Sequence, residues 1–226
     1  MSTPAWPQIA GGRRLWLEFL LIYVLAPVWM ALAVGTGWAP VLSVPLVFLG
    51  VLLLAIGLLS LTPGFAWRSL LQGSLLPRRR AAAVFLVGTA MAALLLTWWL
   101  APQALFHLPV QSPGIWLLIT LFYPVVSVLP QGIIYRALFF ERYGGLFSSR
   151  RQAMAVNAGV FGLAHLFYLN WVALLLSIIG GWVFAWAYVE QRSFAFAMLL
   201  HAVAGWLLFS IGLGAVYFFH GAVILN

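Results

Sequence analysis

The chain has very little charge and no cysteine, and both absences narrow its class. Only 6% of its 226 residues are charged, and the acidic residues are three glutamates, Glu18, Glu141 and Glu190. Soluble globular domains carry about 25% charged residues, so the composition excludes a soluble domain. The absence of cysteine excludes disulfides and thiol chemistry. With so few carboxylates, a site inside the apolar segments has almost no acidic side chain that could act as an acid or a base.

Hydrophobic residues dominate what is present. They make up 65% of the chain, and its mean hydropathy is +1.09. Apolar runs of about 20 residues without strand alternation indicate helices that cross a bilayer, because lipid offers no partner to unpaired backbone groups. The sequence therefore predicts an all-α, polytopic transmembrane bundle that forms a single domain over residues 1–226. We expect about seven spans, at residues 15–34, 40–61, 81–101, 114–142, 151–169, 171–190 and 193–219.

The basic residues are eleven arginines, and the formal net charge is +8. All of them except Arg136 cluster at alternate ends of the apolar segments, which is typical of a topology signal rather than of nucleic-acid binding. The positive-inside rule predicts a cytoplasmic N-terminus and an outer C-terminus, with a bacterial inner membrane as the expected location. The expected surroundings are membrane lipids, and the cluster at 78–80 suits contact with anionic headgroups.

Four polar side chains stand out inside the apolar segments: Gln131, Arg136, His165 and His201. Ionisable groups in hydrocarbon are costly and usually mark functional sites. At about 1.5 Å per residue, Gln131, His165 and His201 lie roughly 16, 21 and 14 Å inward from the arginines at the cytoplasmic ends of their helices. Three helices thus bring polar groups to a similar depth, which predicts that these groups converge in one cavity.

Three short motifs contain these residues, in the order Pro130-Gln131-Gly132-Ile133-Ile134-Tyr135-Arg136, Phe161-Gly162-Leu163-Ala164-His165 and His201-Ala202-Val203-Ala204-Gly205. This set resembles the motifs of the CPBP family, the CAAX-processing and bacteriocin-processing intramembrane proteases, which are Glu-Glu-x-x-x-Arg, Phe-x-x-x-His and His-x-x-x-Asn. Order, spacing and helical placement all agree, which is more specific than any single motif. The resemblance covers about residues 114–215, and it implies a CPBP-type bundle in which the half at 114–219 carries the site.

The resemblance also implies roles for the matched positions. In the family, a glutamate activates the water that attacks a peptide carbonyl, while the histidines and the asparagine orient that water and stabilise the oxyanion. Both glutamate positions differ in this chain, as does the asparagine position. One branch of the family carries Pro-Gln-Glu-x-x-x-Arg and His-x-x-x-Gly, so the missing glutamate is marked by Gly132. The implied catalytic site consists of Gln131, Gly132, Arg136, His165, His201 and Gly205.

No other carboxylate takes over from the missing glutamate. Glutamine cannot accept a proton at neutral pH, and glycine has no side chain. Glu141 lies about 14 Å along the helix from Gly132, at the cytoplasmic end. A histidine has a pKa that suits a general base, but that would be a different mechanism.

A metal is not expected, and no other cofactor is implied. Catalytic zinc generally takes three protein ligands, whereas His165 and His201 supply two. The remaining histidines, His107 and His220, fall near the outer boundary, where interfacial and non-functional roles are expected.

Two functions of different classes remain. One is an intramembrane endopeptidase that cleaves a membrane-associated peptide or protein tail, and the other is an inactive family member that binds and positions a membrane partner protein.

Overall fold

The computed structural model describes residues 12–38 and 44–214, and this part of the chain consists of helices and connecting turns without a strand. The all-α prediction is therefore confirmed. The helices are α1 (Arg13–Gly35), α2 (Val44–Ser60), α3 (Arg79–Leu100), α4 (His107–Gln111), α5 (Pro113–Leu146), α6 (Arg150–Leu163), α7 (Trp171–Val189) and α8 (Phe194–Ile211). Short 3₁₀ turns lie at Trp67–Leu71, Pro102–Ala104 and Leu166–Tyr168.

Most of the predicted spans correspond to helices of membrane-crossing length. Within the described residues, α1, α3, α5, α7 and α8 are long and apolar enough to cross a bilayer, and α2 is a shorter apolar helix of 17 residues. The chain is an integral membrane protein. Helix α6 has only 14 residues and ends at Leu163, so it rises about 21 Å and is shorter than the predicted span at 151–169. Residues 40–43 and 215–219 of two predicted spans lie outside the described part.

Contacts between residues divide the chain into two compact units, each built from two segments. The first unit comprises Met1–Gly73 and Gln131–Ala197, and the second comprises Ser74–Pro130 and Met198–Asn226. Two of the three boundaries fall within α5 and α8, so both of these helices contribute to both units. The expectation of a single domain over the whole chain stays a prediction.

In the first unit, α6 and α7 run antiparallel and pack closely through small residues. A Cβ added at Gly181 would lie 3.2 Å from the Cα of Ala158, and one added at Gly162 would lie 2.5 Å from Cγ1 of Ile178. Small residues at such positions let two helix backbones approach each other. The Asn170 side chain caps the start of α7 by accepting a 2.8 Å hydrogen bond from the amide two residues later.

Helix α1 packs against the second half of α5 through an aromatic cluster within the first unit. Phe19 and Tyr23 meet Phe139 and Tyr143 with ring centroids 5.4–6.0 Å apart. Steeply tilted ring pairs of this kind contribute about 0.5–1.5 kcal/mol each beyond their buried area. The Tyr23 hydroxyl also donates a 2.7 Å hydrogen bond to the carbonyl of Ile134. The N-terminal helix therefore supports the part of α5 that carries the first motif.

A charge cluster joins the same two helices. The Glu18 carboxylate of α1 pairs with Arg142 of α5 at 2.7 Å and with Arg14 of its own helix at 2.8 Å. The Tyr143 hydroxyl donates to the same carboxylate at 3.3 Å. The side chains of Arg142 and Glu18 are only 10% and 18% exposed, so salt screens their attraction less than it screens surface pairs.

In the second unit, the first part of α5 runs antiparallel to α8. Two indole N–H groups link these helices, from Trp116 to the Ser210 hydroxyl at 2.9 Å and from Trp206 to the Thr120 carbonyl at 3.0 Å. Buried tryptophan needs such a partner for its N–H group. Proline has no backbone N–H, and a wide π-helical turn begins at the proline of Pro124–Val128.

Candidate functional site

Arg136 is almost completely buried and lies in a segment of α5 with unusually wide turns. Only 1% of its surface is exposed. The segment Ile133–Tyr143 is π-helical, a geometry in which each backbone N–H bonds to the carbonyl five residues earlier rather than four. Such segments are rare and are frequent at functional sites. The α-helical rule that residues four positions apart share a helix face therefore does not hold around Arg136.

Neutral groups surround the Arg136 guanidinium in the first unit. Its Nη1 donates to the side-chain carbonyl of Asn157 and, at 3.1 Å, to the backbone carbonyl of Tyr135. The ring centroids of Phe161 and Phe184 lie 4.7 and 5.7 Å from its Cζ, within the range of cation–π attraction. Burial of an unpartnered ion costs several kcal/mol, so these contacts are what stabilises the arginine inside the protein.

The three motifs do not include Asn157, which the structure places at the centre of this cluster. It is fully buried, and its Nδ2 donates to the Tyr135 carbonyl at 2.6 Å while its Oδ1 accepts from Arg136. It lies on α6 four residues before Phe161, the spacing that keeps residues on one helix face, and eight residues before His165. An asparagine at that spacing before a motif histidine is the sequence signal that identifies it.

No glutamate pairs with Arg136 in the described part of the chain. Glu18 is engaged by two other arginines. Glu141 is exposed and accepts a 2.8 Å hydrogen bond from the Tyr188 hydroxyl, and Glu190 is exposed at the end of α7. The cluster around Arg136 therefore holds a positive charge that only dipoles and aromatic rings compensate.

The positions of the two family glutamates, Gln131 and Gly132, directly precede the π-helical segment. Gly132 is buried, with φ −61° and ψ −44°, which are helical values open to every residue. The backbone there does not require glycine, which weakens a helix by about 0.5–1 kcal/mol relative to alanine. Gln131 is half-buried. This chain thus presents a side-chain amide and a bare backbone where the family carries carboxylates.

His165 lies just beyond the end of α6 rather than inside a longer helix. The helix ends at Leu163, and His165 precedes the 3₁₀ turn at Leu166–Tyr168. Its Nδ1 is 2.8 Å from the carbonyl oxygen of Phe161, and the two rings are 4.8 Å apart. Because a carbonyl only accepts hydrogen bonds, Nδ1 carries the proton, and Nε2 of the neutral ring is an acceptor. Phe161 and His165 are therefore direct neighbours, whereas the predicted helix to residue 169 is wrong.

In the second unit, His201 and Gly205 lie one turn apart on α8, and both are buried. The His201 ring meets the edge of Tyr123 with centroids 6.2 Å apart. Tyr123 also fills the space beside Gly205, because a Cβ added there would lie 2.5 Å from its Cζ and closer still to its Cε1 and hydroxyl oxygen. The motifs do not single out Tyr123, which gives no sequence signal beyond its place before Pro124.

Four of the six predicted site residues therefore fall into two groups. Arg136 and His165 share contacts with Phe161 in the first unit. His201 and Gly205 share contacts with Tyr123 in the second unit. Convergence of both groups in one cavity stays a prediction.

The remaining histidines, His107 and His220, were not predicted to belong to the site. His107 is half-buried at the start of α4, and His220 lies outside the described residues. Among the residues that the structure describes, no three histidine, cysteine or acidic side chains come together. A catalytic zinc site generally uses three protein ligands.

One comparison with known proteins gives a match. Residues 112–207 fit the family model described as Type II CAAX prenyl endopeptidase Rce1-like. No curated protein and no solved structure matches the chain. The matched range contains all three motifs, and it confirms the family resemblance that they indicate.

Proposed function

We propose that this chain binds a membrane-associated peptide or protein tail and lacks glutamate-catalysed peptidase activity. The premise is the match of residues 112–207 to the Rce1-like model of the CPBP intramembrane protease family. The observation that carries the proposal is Gly132, a buried helical glycine where the family has its water-activating glutamate. The motif arginine and histidines are retained. Binding is therefore kept while the usual general base is absent.

The size of the catalytic loss supports binding as the main function. Removal of a general base typically lowers a rate by about 10²–10⁴. Gln131 cannot accept a proton, and Glu141 is exposed and bonded to Tyr188. No carboxylate in the described chain is thus placed to restore the rate at Arg136.

His165 is the group through which this site would recognise a peptide. Its side chain is half-buried rather than sealed, and the Phe161 carbonyl holds its Nδ1. Nε2 is then a fixed acceptor that suits an N–H group of a bound peptide. Arg136 is too deeply buried to touch a ligand, and it acts by holding Phe161 and Asn157 in place.

One observation favours a second function, a slow peptidase that uses histidine as its base. The hydrogen bond between His165 Nδ1 and the Phe161 carbonyl leaves Nε2 as the proton acceptor. An imidazole held in one tautomer by a carbonyl is a normal arrangement for a general base. This function predicts hydrolysis that depends on His165 and does not need a carboxylate at residue 132.

The test compares the purified chain with its Gly132→Glu variant, which restores a carboxylate one turn from Arg136. Both proteins are placed in lipid nanodiscs with a panel of fluorescent, membrane-anchored peptides that includes an S-farnesylated peptide ending in a CAAX sequence. We expect the native chain to bind a peptide without cleaving it and the variant to cleave it. The matched control is Gly132→Gln, which has the same length as glutamate but accepts no proton, so it should not cleave.

The outcomes separate the two functions. Slow cleavage by the native chain that disappears in His165→Gln would establish the histidine-dependent peptidase in place of the first proposal. Cleavage at an ordinary enzymatic rate, about 1–10³ s⁻¹, would show that a glutamate is not needed at residue 132. Absence of any peptide binding by the native chain would refute both functions.

The arginine distribution supports a cytoplasmic N-terminus and an outer C-terminus. Because the chain has no cysteine, a single introduced thiol reports one position cleanly. In intact bacterial cells, a membrane-impermeant maleimide should label Gln103→Cys in the loop after α3 and should not label Ser74→Cys before it. The reverse labelling pattern would show that the chain has the opposite orientation in the membrane.

A further inference from the structure

Tyr123 and Gly205 form a matched pair in the second unit. A Cβ added at Gly205 would overlap the outer end of the tyrosine, since its three nearest atoms are Cε1, Cζ and the hydroxyl oxygen of Tyr123. The rings of His201 and Phe209 lie 6.2 and 5.3 Å from the tyrosine ring, and both meet it edge-on. The phenol end of Tyr123 therefore occupies the space that a side chain at residue 205 would enter.

The glycine is explained by this ring and not by backbone geometry. Gly205 lies in the middle of α8 and has no left-handed φ. Glycine at such a position weakens a helix by about 0.5–1 kcal/mol relative to alanine. The glycine at residue 205 therefore lowers helix stability and makes room for the ring of Tyr123. A function of the Tyr123 hydroxyl group would account for this arrangement.

The hydroxyl group of Tyr123 differs in its hydrogen bonding from those of three other tyrosines. Three other tyrosines direct their hydroxyl groups to protein acceptors: Tyr23 to the Ile134 carbonyl, Tyr143 to Glu18 and Tyr188 to Glu141. No such hydrogen bond of Tyr123 occurs among the described residues, and its side chain is half-buried rather than sealed. A phenol O–H that is partly enclosed needs an acceptor.

We propose that the Tyr123 hydroxyl replaces the motif asparagine as the hydrogen-bond donor beside His201, and that it donates to a backbone carbonyl of the bound peptide. The family position carries an amide side chain that starts at residue 205, and the hydroxyl oxygen lies where that side chain would start. A phenol donates one hydrogen bond and stays neutral in doing so. The inference rests on the proposed function, since it needs a bound peptide. Tyr123 is thus a ligand-binding residue that the motifs conceal.

The test measures binding of one defined probe, an S-farnesylated peptide ending in a CAAX sequence with an N-terminal fluorophore, by fluorescence anisotropy in nanodiscs. Tyr123→Phe removes the hydroxyl and keeps the ring, so we expect Kd to rise about threefold to tenfold, the value of one ordinary hydrogen bond. Tyr188→Phe is the matched control, because its hydroxyl is already bonded to Glu141, and its Kd should equal that of the native chain.

A residue swap tests whether the hydroxyl really stands in for the asparagine. Gly205→Asn alone should weaken binding, because its side chain overlaps Tyr123. In the Tyr123→Ala background, which frees that space, Gly205→Asn should instead tighten binding relative to Tyr123→Ala alone. If Tyr123 only fills space, the second substitution should raise Tm in the Tyr123→Ala background without lowering Kd, so thermal unfolding of each variant is measured beside the anisotropy.

The results separate this inference from the function on which it rests. If the native chain binds the probe and Tyr123→Phe binds it equally well, the inference is refuted while the proposed function stands. If the double variant binds no better than Tyr123→Ala, the replacement of asparagine is refuted. If the native chain binds no probe at all, the proposed function fails, and the inference fails with it.

Discussion

Replacing Asn157 with leucine removes the only side-chain hydrogen-bond partner of the buried Arg136 among the described residues. Leucine has the same number of side-chain heavy atoms and the same branching at Cγ, so the change removes the polar contacts and keeps the outline of the side chain. Two hydrogen bonds are lost, one from the Arg136 guanidinium to Oδ1 and one from Nδ2 to the Tyr135 carbonyl at 2.6 Å. The guanidinium keeps its 3.1 Å bond to that carbonyl and its contact with the Phe161 ring.

The magnitude follows from the two lost bonds. A hydrogen bond to a charged group contributes about 1.5–3 kcal/mol, and one between neutral groups about 0.5–1.5 kcal/mol. Measured bonds between membrane helices average only about 0.6 kcal/mol each, which favours the lower end of the sum. We therefore expect Asn157→Leu to lower the free energy of unfolding by about 2 kcal/mol. For a chain of this length, that lowers Tm by about 4–8 °C.

The assay is thermal unfolding in nanodiscs, followed by the intrinsic fluorescence of the 12 tryptophans. The decisive control is the double variant Arg136→Met/Asn157→Leu. Replacing both partners of a buried polar pair is much less destabilising than removing one, because no charge is left unpartnered. The double variant should therefore be at least as stable as Asn157→Leu alone. A double variant that loses the sum of both single effects would refute the view that Asn157 stabilises a buried charge.

Three further predictions concern the first unit. Tyr23→Phe should lower the free energy of unfolding by about 1 kcal/mol, because it removes the 2.7 Å hydrogen bond to Ile134, and thermal unfolding measures this. Glu18→Gln should lower stability by up to about 1 kcal/mol through loss of the pair with Arg142, with a smaller difference from the native chain in 1 M salt. Gly73→Ala should destabilise by about 1–3 kcal/mol, because φ is +93° and the new Cβ would lie 2.5 Å from a backbone carbonyl oxygen.

Each of these changes has a matched control in the chain. Tyr188→Phe should have less effect than Tyr23→Phe, since its hydroxyl bonds to an exposed glutamate. Glu190→Gln, at an exposed position, should leave Tm unchanged. Gly57→Ala should keep or raise stability, because a Cβ there meets nothing within 4 Å and the position is helical. Equal effects of a test variant and its control would contradict the contact assigned to that residue.

The helical architecture follows largely from composition. Long apolar runs in lipid must form helices because no water is present to pair backbone groups, and the structure has helices at the predicted places. Helix length was harder to predict at α6. The apolar run extends to residue 169, but the helix ends at Leu163 and is followed by a 3₁₀ turn. Hydropathy does not distinguish a helix from a buried turn that keeps its backbone bonded.

The surroundings of the motif residues could be predicted from the sequence only in part. Spacing alone places Phe161 one turn before His165, and the structure shows the two side by side. The same spacing does not reveal the π-helical segment at Ile133–Tyr143. Within the first unit that segment contacts Tyr23 of α1, a residue more than a hundred positions away.

Composition and motif spacing, which can be read along the chain, suffice to predict an all-α membrane protein that has the motifs of a protease family and no carboxylate at residue 132. The contact of Asn157 with Arg136 and the packing of Tyr123 beside Gly205 become visible only in the folded protein. Both are contacts between different helices. Such contacts depend on which faces meet and how closely, and no periodicity along a single helix specifies its partner.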